Sequence, residues 1–515
     1  MNSLQGKQTD CHSLPVPRPA LASRFASAGF IILITASLLF SGCAVGPDYK
    51  KPQAAVMPTT YKEGTNEWKL AEPQAHLPKG AWWELFGDTE LNRLEQKAAA
   101  ANQELKIAVA SFEQARSLLD IARAGRFPRL DLSSSAVRQR DSANRPINGI
   151  SNGRADTYNN YNAALDLSYE LDVWGRVRRG IEAAAATVQA DAADVESVRL
   201  AIQAEVANDY FNLRTLDAET ILLKSSIEVF KKSLQLTRNR RAGGIATDLD
   251  VSEAETILKT TEAQVPVIAL QRARTEHALA VLTGQPASSF AEPEKPIDLA
   301  PPTIPFGIPS ELLERRPDIA AAERRMAAAN AGIGVAKAAF FPTIKFNGLA
   351  GLQSVDIGTL FNWPSRIWAV GPSIKLPIFE GGENRANLRR VQAVYDENVA
   401  RYRQSVLVAF ADVEDNLAAQ HLLATEQEAE AAALKSAQKT LEIANNRYHA
   451  GLVTYLEVAT AQNAALDRER THVRLRGEQL VSVVALIKSL GGGWQAPKQF
   501  SDARARVGSE TIAKP

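Results

Sequence analysis

Residues 240–254, RRAGGIATDLDVSEA, and residues 447–461, RYHAGLVTYLEVATA, are two copies of one turn. Arg240, Gly244, Thr247, Leu249, Val251 and Ala254 recur as Arg447, Gly451, Thr454, Leu456, Val458 and Ala461 at a constant offset of 207. Upstream, Phe127-Pro128 recurs as Phe341-Pro342 at an offset of 214, with Ala122 and Ala124 answered by Ala336 and Ala338, and Asn212-Leu213 matches Asn416-Leu417 at 204. The 515-residue chain therefore contains an internal duplication of about 200 residues. Both turns lie inside proline-free runs. None of the 25 prolines falls between Pro146 and Pro266 or between Pro377 and Pro497, two stretches of 119 residues rich in Ala, Glu, Gln, Leu and Arg. Such stretches favour long helices, and the glycines at Gly243-Gly244 and Gly451 predict one helical hairpin per copy, turning at Gly244 and Gly451. From Gly382 to Ala450 is 69 residues, an arm of ~100 Å at about 1.5 Å per residue. Val406, Phe410, Val413 and Leu417 step by four, three and four, the spacing of a coiled-coil seam, and Ile202, Val206 and Leu213 follow the same phase with Asp209 interrupting. Arms of this kind pack against partners.

Between the helical stretches the period changes to two. From Leu165 to Val173 the odd positions are apolar and the even ones polar, and Val370 to Ile378 alternates likewise. Each segment follows another candidate strand, 129–138 or 343–352, across a polar or glycine-containing loop at about 141–157 or 354–366. Each copy thus contributes one β-hairpin, four strands in all. Strands of about ten residues with one apolar and one polar face, and with Trp174, Trp363 and Trp368 near their ends, suit an outer-membrane barrel; a half-buried sheet of a soluble protein shows the same alternation. Four strands cannot close a barrel, since at least eight are needed. Two chains would give eight strands and a filled interior, three would give twelve and room for a conduit.

The N-terminus reads as an export signal. Lys7, Arg18 and Arg24 precede the apolar run Phe30–Phe40, and Ser41-Gly42 leads into Cys43, small residues ending in the cysteine that a lipoprotein would acylate. Phe40 stands where the lipoprotein motif usually has Leu. An 11-residue run is too short for a spanning helix, which excludes a polytopic helical membrane protein. The near balance of 59 Lys+Arg against 58 Asp+Glu gives no support for nucleic-acid binding. Two cysteines and six scattered histidines make no disulfide framework or metal motif.

Cys43-Ala44-Val45-Gly46-Pro47-Asp48-Tyr49, Trp82-Trp83-Glu84-Leu85-Phe86-Gly87-Asp88, Tyr169-Glu170-Leu171-Asp172-Val173-Trp174-Gly175-Arg176, Pro309 through Ile319 with its Arg315-Arg316-Pro317-Asp318, and Leu490-Gly491-Gly492-Gly493-Trp494 resemble motifs of the TolC-like outer-membrane factors. Within these the chain resembles the lipid-anchored NodT/OprM branch that serves resistance-nodulation-division (RND) efflux pumps, over about residues 42–496. The resemblance implies an α+β membrane protein: a homotrimer with a 12-stranded barrel in outer-membrane lipid, continued by a 12-helix periplasmic tunnel. It also implies a palmitate-type lipid anchor on Cys43, and as partners a periplasmic adaptor and an inner-membrane RND pump. The expected organisation is a signal peptide (1–42), a lipid-anchored extended segment (43–90), a first repeat (91–300, hairpin at about 129–174, turn near 244), a second repeat (309–494, hairpin at about 343–379, turn near 451) and a polar tail (495–515).

The turns are the candidate gate. Just past them lie Asp250, Glu253 and Glu457, three copies of which would ring a narrow axis, although they could equally be the solvated face of helix ends. In the family an acidic residue and a tyrosine link to hold the mouth shut, positions that map onto Asp250 and Tyr448; an arginine completing the set in some relatives is Val453 here. Glu314, Arg315, Arg316 and Asp318 lack a nucleophile, histidine or metal cluster and are read as ion pairs at a helix start. Gly332-Ile333-Gly334 lies in a helical pattern and is read as a close-packing site, and Gly491–Gly493 as a helix stop. With no phosphate loop, nucleophile elbow or zinc motif, no catalytic, metal-binding or cofactor-binding residue is expected, and the chain is not read as an enzyme. An efflux exit duct leads; a duct for type I secretion, or a structural coiled-coil lipoprotein tethering the envelope, are the alternatives.

Overall fold

The computed structural model describes residues 44–51, 61–63, 80–144, 146–147, 150–151, 155–296, 299–302 and 315–493. The signal segment, Cys43, Glu314 and the tail from Trp494 lie outside these residues. Two compact units divide the chain. One holds Pro128–Arg178, Lys337–Phe379 and the segment up to Gly46; the other holds Pro47–Phe127, Arg179–Ala336 and the residues from Glu380 onward.

In the first unit, β1 (Arg129–Arg140), β4 (Thr157–Leu171), β5 (Thr343–Ser354) and β6 (Arg366–Lys375) form an antiparallel sheet in the order β1-β4-β5-β6. A small hairpin of β2 (Pro146–Ile147) and β3 (Ile150–Ser151) sits in the first loop. β4 starts at Thr157, eight residues before the alternation that begins at Leu165. Asn159, Asn160 and Asn162 are poor strand formers, but they are held by pairing with Arg138, Val137 and Ser135. Register sorts the side chains cleanly. Leu130 opposes Leu167 and Leu132 opposes Leu165; Leu171 opposes Ile344 and Tyr169 opposes Phe346; Phe346 opposes Pro372 and Ile344 opposes Ile374. Directly opposed residues share a face, so one face is apolar across all four strands. The other carries Asp131, Ser133, Asp166, Lys345, Asn347 and Ser373, with Ser133 Oγ donating to Asp166 (2.6 Å) and Asn347 Nδ2 to Ser373 (2.8 Å). The apolar face is uncovered: Leu132 is 74% exposed, Trp368 74% and Ile374 69%.

Asp172 caps the helix that leaves this sheet, accepting from Val177 N (2.9 Å) and Arg178 N (2.8 Å), while Arg176 grips Glu170 through two 2.7 Å bonds. Trp174 donates to the Pro342 carbonyl (2.8 Å) and stacks on Phe341 at 4.7 Å.

The second unit is helical: α1 (Thr89–Ala101), α2 (Gln103–Ala124), α3 (Arg176–Ala242), α4 (Asp248–Leu282), α5 (Pro317–Ala338), α6 (Glu383–His449) and α7 (Tyr455–Ser489). The duplication is metrically faithful. α2 and α5 have 22 residues each, α3 and α6 have 67, α4 and α7 have 35, and β1 and β5 have 12. Elements before the hairpin loops are offset by 214 and the helices after them by 207, so the first hairpin segment is the longer by seven residues, while β4 and β6 differ in length, 15 residues against 10. The helix ends hold the offset at 207 throughout α3 and α6. Buried Val195, Ile202, Val206 and Tyr210 are matched at that distance by buried Tyr402, Ala409, Val413 and Leu417. The Asn212-Leu213 match at 204 is therefore coincidental, a common outcome where a seam repeats every three or four residues. α4 runs on through Pro266, losing one backbone bond there.

Two buried clusters hold this unit. One gathers Trp82, Trp83 and Phe86 with Tyr210, Phe211, Leu213 and Tyr402. The other joins both hairpins, with Leu223, Ile227, Phe230 and Leu234 of α3 against Ile257 and Leu258 of α4, and Tyr448, Tyr455, Val458 and Leu466 of α6 and α7. It extends to the turns.

Candidate functional site

Each turn closes its preceding helix the same way. Gly244 (φ 76°) and Gly451 (φ 73°) take the left-handed conformation that ends a helix. Gly244 N–H bonds Arg241 O (2.9 Å) and Ile245 N–H bonds Arg240 O (2.8 Å); Gly451 N–H and Leu452 N–H bond Tyr448 O (3.0 Å) and Arg447 O (2.9 Å). This double closure satisfies the last carbonyls of α3 and α6. The helix after the first turn is capped at Thr247, whose hydroxyl and the Asp250 carboxylate form a reciprocal capping box, whereas Thr454 after the second turn makes no side-chain cap bond.

Asp250 is buried, and does more than cap. One carboxylate oxygen accepts Thr247 N–H (2.7 Å) and the Thr247 hydroxyl (2.8 Å); the other accepts the N–H of Tyr455 (3.1 Å), first residue of the other hairpin's α7. Burial opposes its charge, but these bonds and the Arg240 charge outweigh it and hold the carboxyl below its ordinary range. Tyr448 lies in the same cluster. Within the chain its hydroxyl turns to Thr237 Oγ1 (3.4 Å) rather than to Asp250, and its ring packs edge-on against Tyr455 at 5.5 Å. Arg240 lies over the Tyr448 ring at 4.7 Å and donates to the His449 carbonyl (3.3 Å). Glu253 is half-buried and Glu457 exposed, the latter paired with Arg447 at 3.3 Å. Val453 packs against the buried cluster.

Sequence reading missed two of these residues. Arg240 serves there only to mark the repeat, yet it supplies a cation on Tyr448 where Val453 cannot. Tyr455 stands at the repeat position of Asp248 and was not singled out. It is buried, and its hydroxyl bridges Gln462 (3.0 Å) and Ser233 (3.1 Å).

The other motifs fall into structural roles. Arg316 forks onto Asp318 (2.7 and 3.1 Å), pairs with Asp412 (2.9 Å) and donates to Ser489 O (3.3 Å), where α7 ends. Gly491 to Gly493 all have positive φ, and a Cβ on Gly491 would lie 2.2 Å from the Arg315 carbonyl oxygen. Gly332 is not forced by packing: an added Cβ would meet Val391 at an ordinary 3.5 Å. An unanticipated network also lies buried. Asp217 accepts from Arg214 (2.9 Å), Arg272 (2.7 Å) and Lys295 N–H (3.1 Å), binding α3, α4 and the segment beyond α4 together.

Similarity to known proteins follows the same outline. The family model "Outer membrane efflux protein" matches residues 94–285 and 308–492. The chain is 34% identical over 467 residues to the probable efflux pump outer membrane protein SepC of Pseudomonas putida, covering 90% of this chain and 96% of SepC. It is 34% identical over 469 residues to outer membrane protein OprJ of Pseudomonas aeruginosa, covering 89% and 94%. Among solved structures, the outer-membrane channel OprN matches with a TM-score of 0.81 at 31% identity, over 88% of this chain and all of that one. With more than half its length matched by that model, and with the duplicated hairpins in place, the chain belongs to the outer membrane efflux protein family.

Proposed function

We propose that this protein is the outer-membrane exit duct of a tripartite RND-type efflux system, conducting substrates passively from a periplasmic adaptor and inner-membrane pump to the outside. The observation that carries the reading is the open sheet: four strands with a continuous uncovered apolar face, a polar opposite face and two unpaired edges, β1 and β6. Three chains would close it into a 12-stranded barrel with lipid on the apolar side and water on the other. The same symmetry would assemble 12 helices into a tunnel. Six turns would gather at its periplasmic mouth, with Asp250, Glu253, Tyr448 and Glu457 forming the gate, and acylated Cys43 would anchor the chain beside the barrel. Nothing in this reading needs catalysis or a cofactor; energy comes from the pump.

Deleting the gene in its host should raise intracellular accumulation of fluorescent efflux dyes, and re-expression should reverse it. Unchanged accumulation across dyes, detergents, solvents and metal ions would refute the assignment.

A further inference from the structure

The connection between β5 and β6, residues 355–365, is an ordered structure in its own right. Short 3-10 turns at Ile357–Thr359 and Trp363–Ser365 are tied by Asp356 accepting from Gly358 N–H (2.9 Å), by a Ser354–Thr359 hydroxyl link (2.7 Å) and by Ser365 Oγ donating to Thr359 O (2.8 Å). Leu360 is buried beneath it, and Arg366 clamps its far end by lying over the Trp363 ring at 3.7 Å.

Its position is informative. The loop and the strands enclose an open cavity of about 520 Å³. On the strand side the cavity is lined by Tyr158, Asn160, Gln353 and Ile367, and at the very ends of the strands by Ser354 and Arg366. By register the first four belong to the polar face, alternating with Tyr161, Leu352 and Trp368 of the apolar one, and only the two terminal residues fall in the apolar set. On the loop side it is lined by Thr359, Asn362 and Ser365. The loop therefore folds back over the polar face, at the strand ends opposite Leu171 and Thr343, and Gln353 Nε2 donates to Asn160 (2.9 Å) at the cavity floor.

We propose that residues 355–365 form a fixed lip over the water-filled side of the barrel, so that three copies make a size-limiting constriction at the outer exit, with Asn362 at its edge. The proposal rests on the reading of the sheet as one third of a closed barrel. Self-bonded and clamped, the lip is a rigid restriction, separate from the periplasmic turns and set by its own side chains.

Single-channel recording with cysteine labelling tests it; under the proposed processing Cys11 leaves with the signal segment and Cys43 is acylated, so the introduced cysteine is the free thiol. Asn362→Cys, treated with a positively charged methanethiosulfonate, should lose current in one step per subunit, reversibly on reduction. Asn347→Cys on the polar face in mid-strand should also lose current, and Leu132→Cys on the apolar face should not. Full current at Asn362→Cys with loss at Asn347→Cys overturns the lip and leaves the duct standing. No loss at either position overturns both.

Discussion

Glu95 and Asp217 are both carboxylates with almost no solvent contact, and their surroundings set opposite chemistry. Glu95, on α1, is 1% exposed and neither of its oxygens has a hydrogen-bond partner, so burial pushes its pKa from 4.5 up to about 9. The folded chain then holds a proton that the unfolded chain has released between those values. Stability must fall as pH rises through that window, by about 1.4 kcal/mol per pH unit, and level off above it. Glu95→Gln, which has no charge to lose, should raise the melting temperature in detergent at pH 8 and leave it unchanged at pH 4; equal effects at both values would show that Glu95 is not held neutral. Asp217 instead takes three donors from Arg214, Arg272 and the Lys295 backbone. Asp217→Asn removes the anion shared by two arginines, one of them 2% exposed, which leaves Arg214 with Glu292 at 3.6 Å and Arg272 with Glu276 at 3.2 Å, and should destabilise by about 3 kcal/mol. A denaturant midpoint within error of wild type would contradict this. Neither role is legible in sequence, because a lone Glu in an Ala-rich helix looks solvated until its neighbours are known.

At the scale of elements, the repeat made the turns legible and the contacts between them invisible. Glycine at the end of a helix carrying Arg, followed by Thr, is a local signal, and its recurrence 207 residues on doubles its weight. The β-hairpins were legible where apolar and polar residues alternate and obscure where asparagines did the pairing. Arg240 over Tyr448 and Asp250 on the Tyr455 N–H join different copies of the repeat, and no local pattern reports such a meeting. These bonds tie the two turns of one chain to each other, so that if the turns are the gate, opening must move them as a pair or break the ties. Replacing Asp250 with Ala and Tyr448 with Phe should raise single-channel conductance, and Arg240→Ala should do the same by freeing the Tyr448 ring. Glu457→Gln should lower cation preference by removing an exposed charge that pairs with Arg447. Unchanged conductance and selectivity in all of these would place the constriction elsewhere.

For the whole molecule, the unpaired edges decide the assembly. β1 and β6 are 12 and 10 residues long, and in hydrocarbon each unsatisfied backbone group costs several kcal/mol, so an inserted single chain is not a stable species. Closure of the proposed barrel would join β6 of one chain to β1 of the next. Because the order β1-β4-β5-β6 is antiparallel throughout, that new pair is antiparallel too, and the apolar faces continue across it whenever Leu130 and Leu132 fall in line with Trp368 and Val370. The polar face then chooses between two chains and three. An eight-stranded barrel has an interior filled by side chains and would have to bury Asp131, Asp166 and Lys345 without water. Twelve strands leave them wet. Light scattering in detergent should therefore give the mass of three chains, and Val370→Lys, which puts a charge on the lipid side of an edge strand, should lower the yield of assembled protein in membranes far more than Lys345→Ala on the water side. A stable monomer or dimer, or equal tolerance of both substitutions, would mean that the uncovered face of this sheet meets something other than lipid.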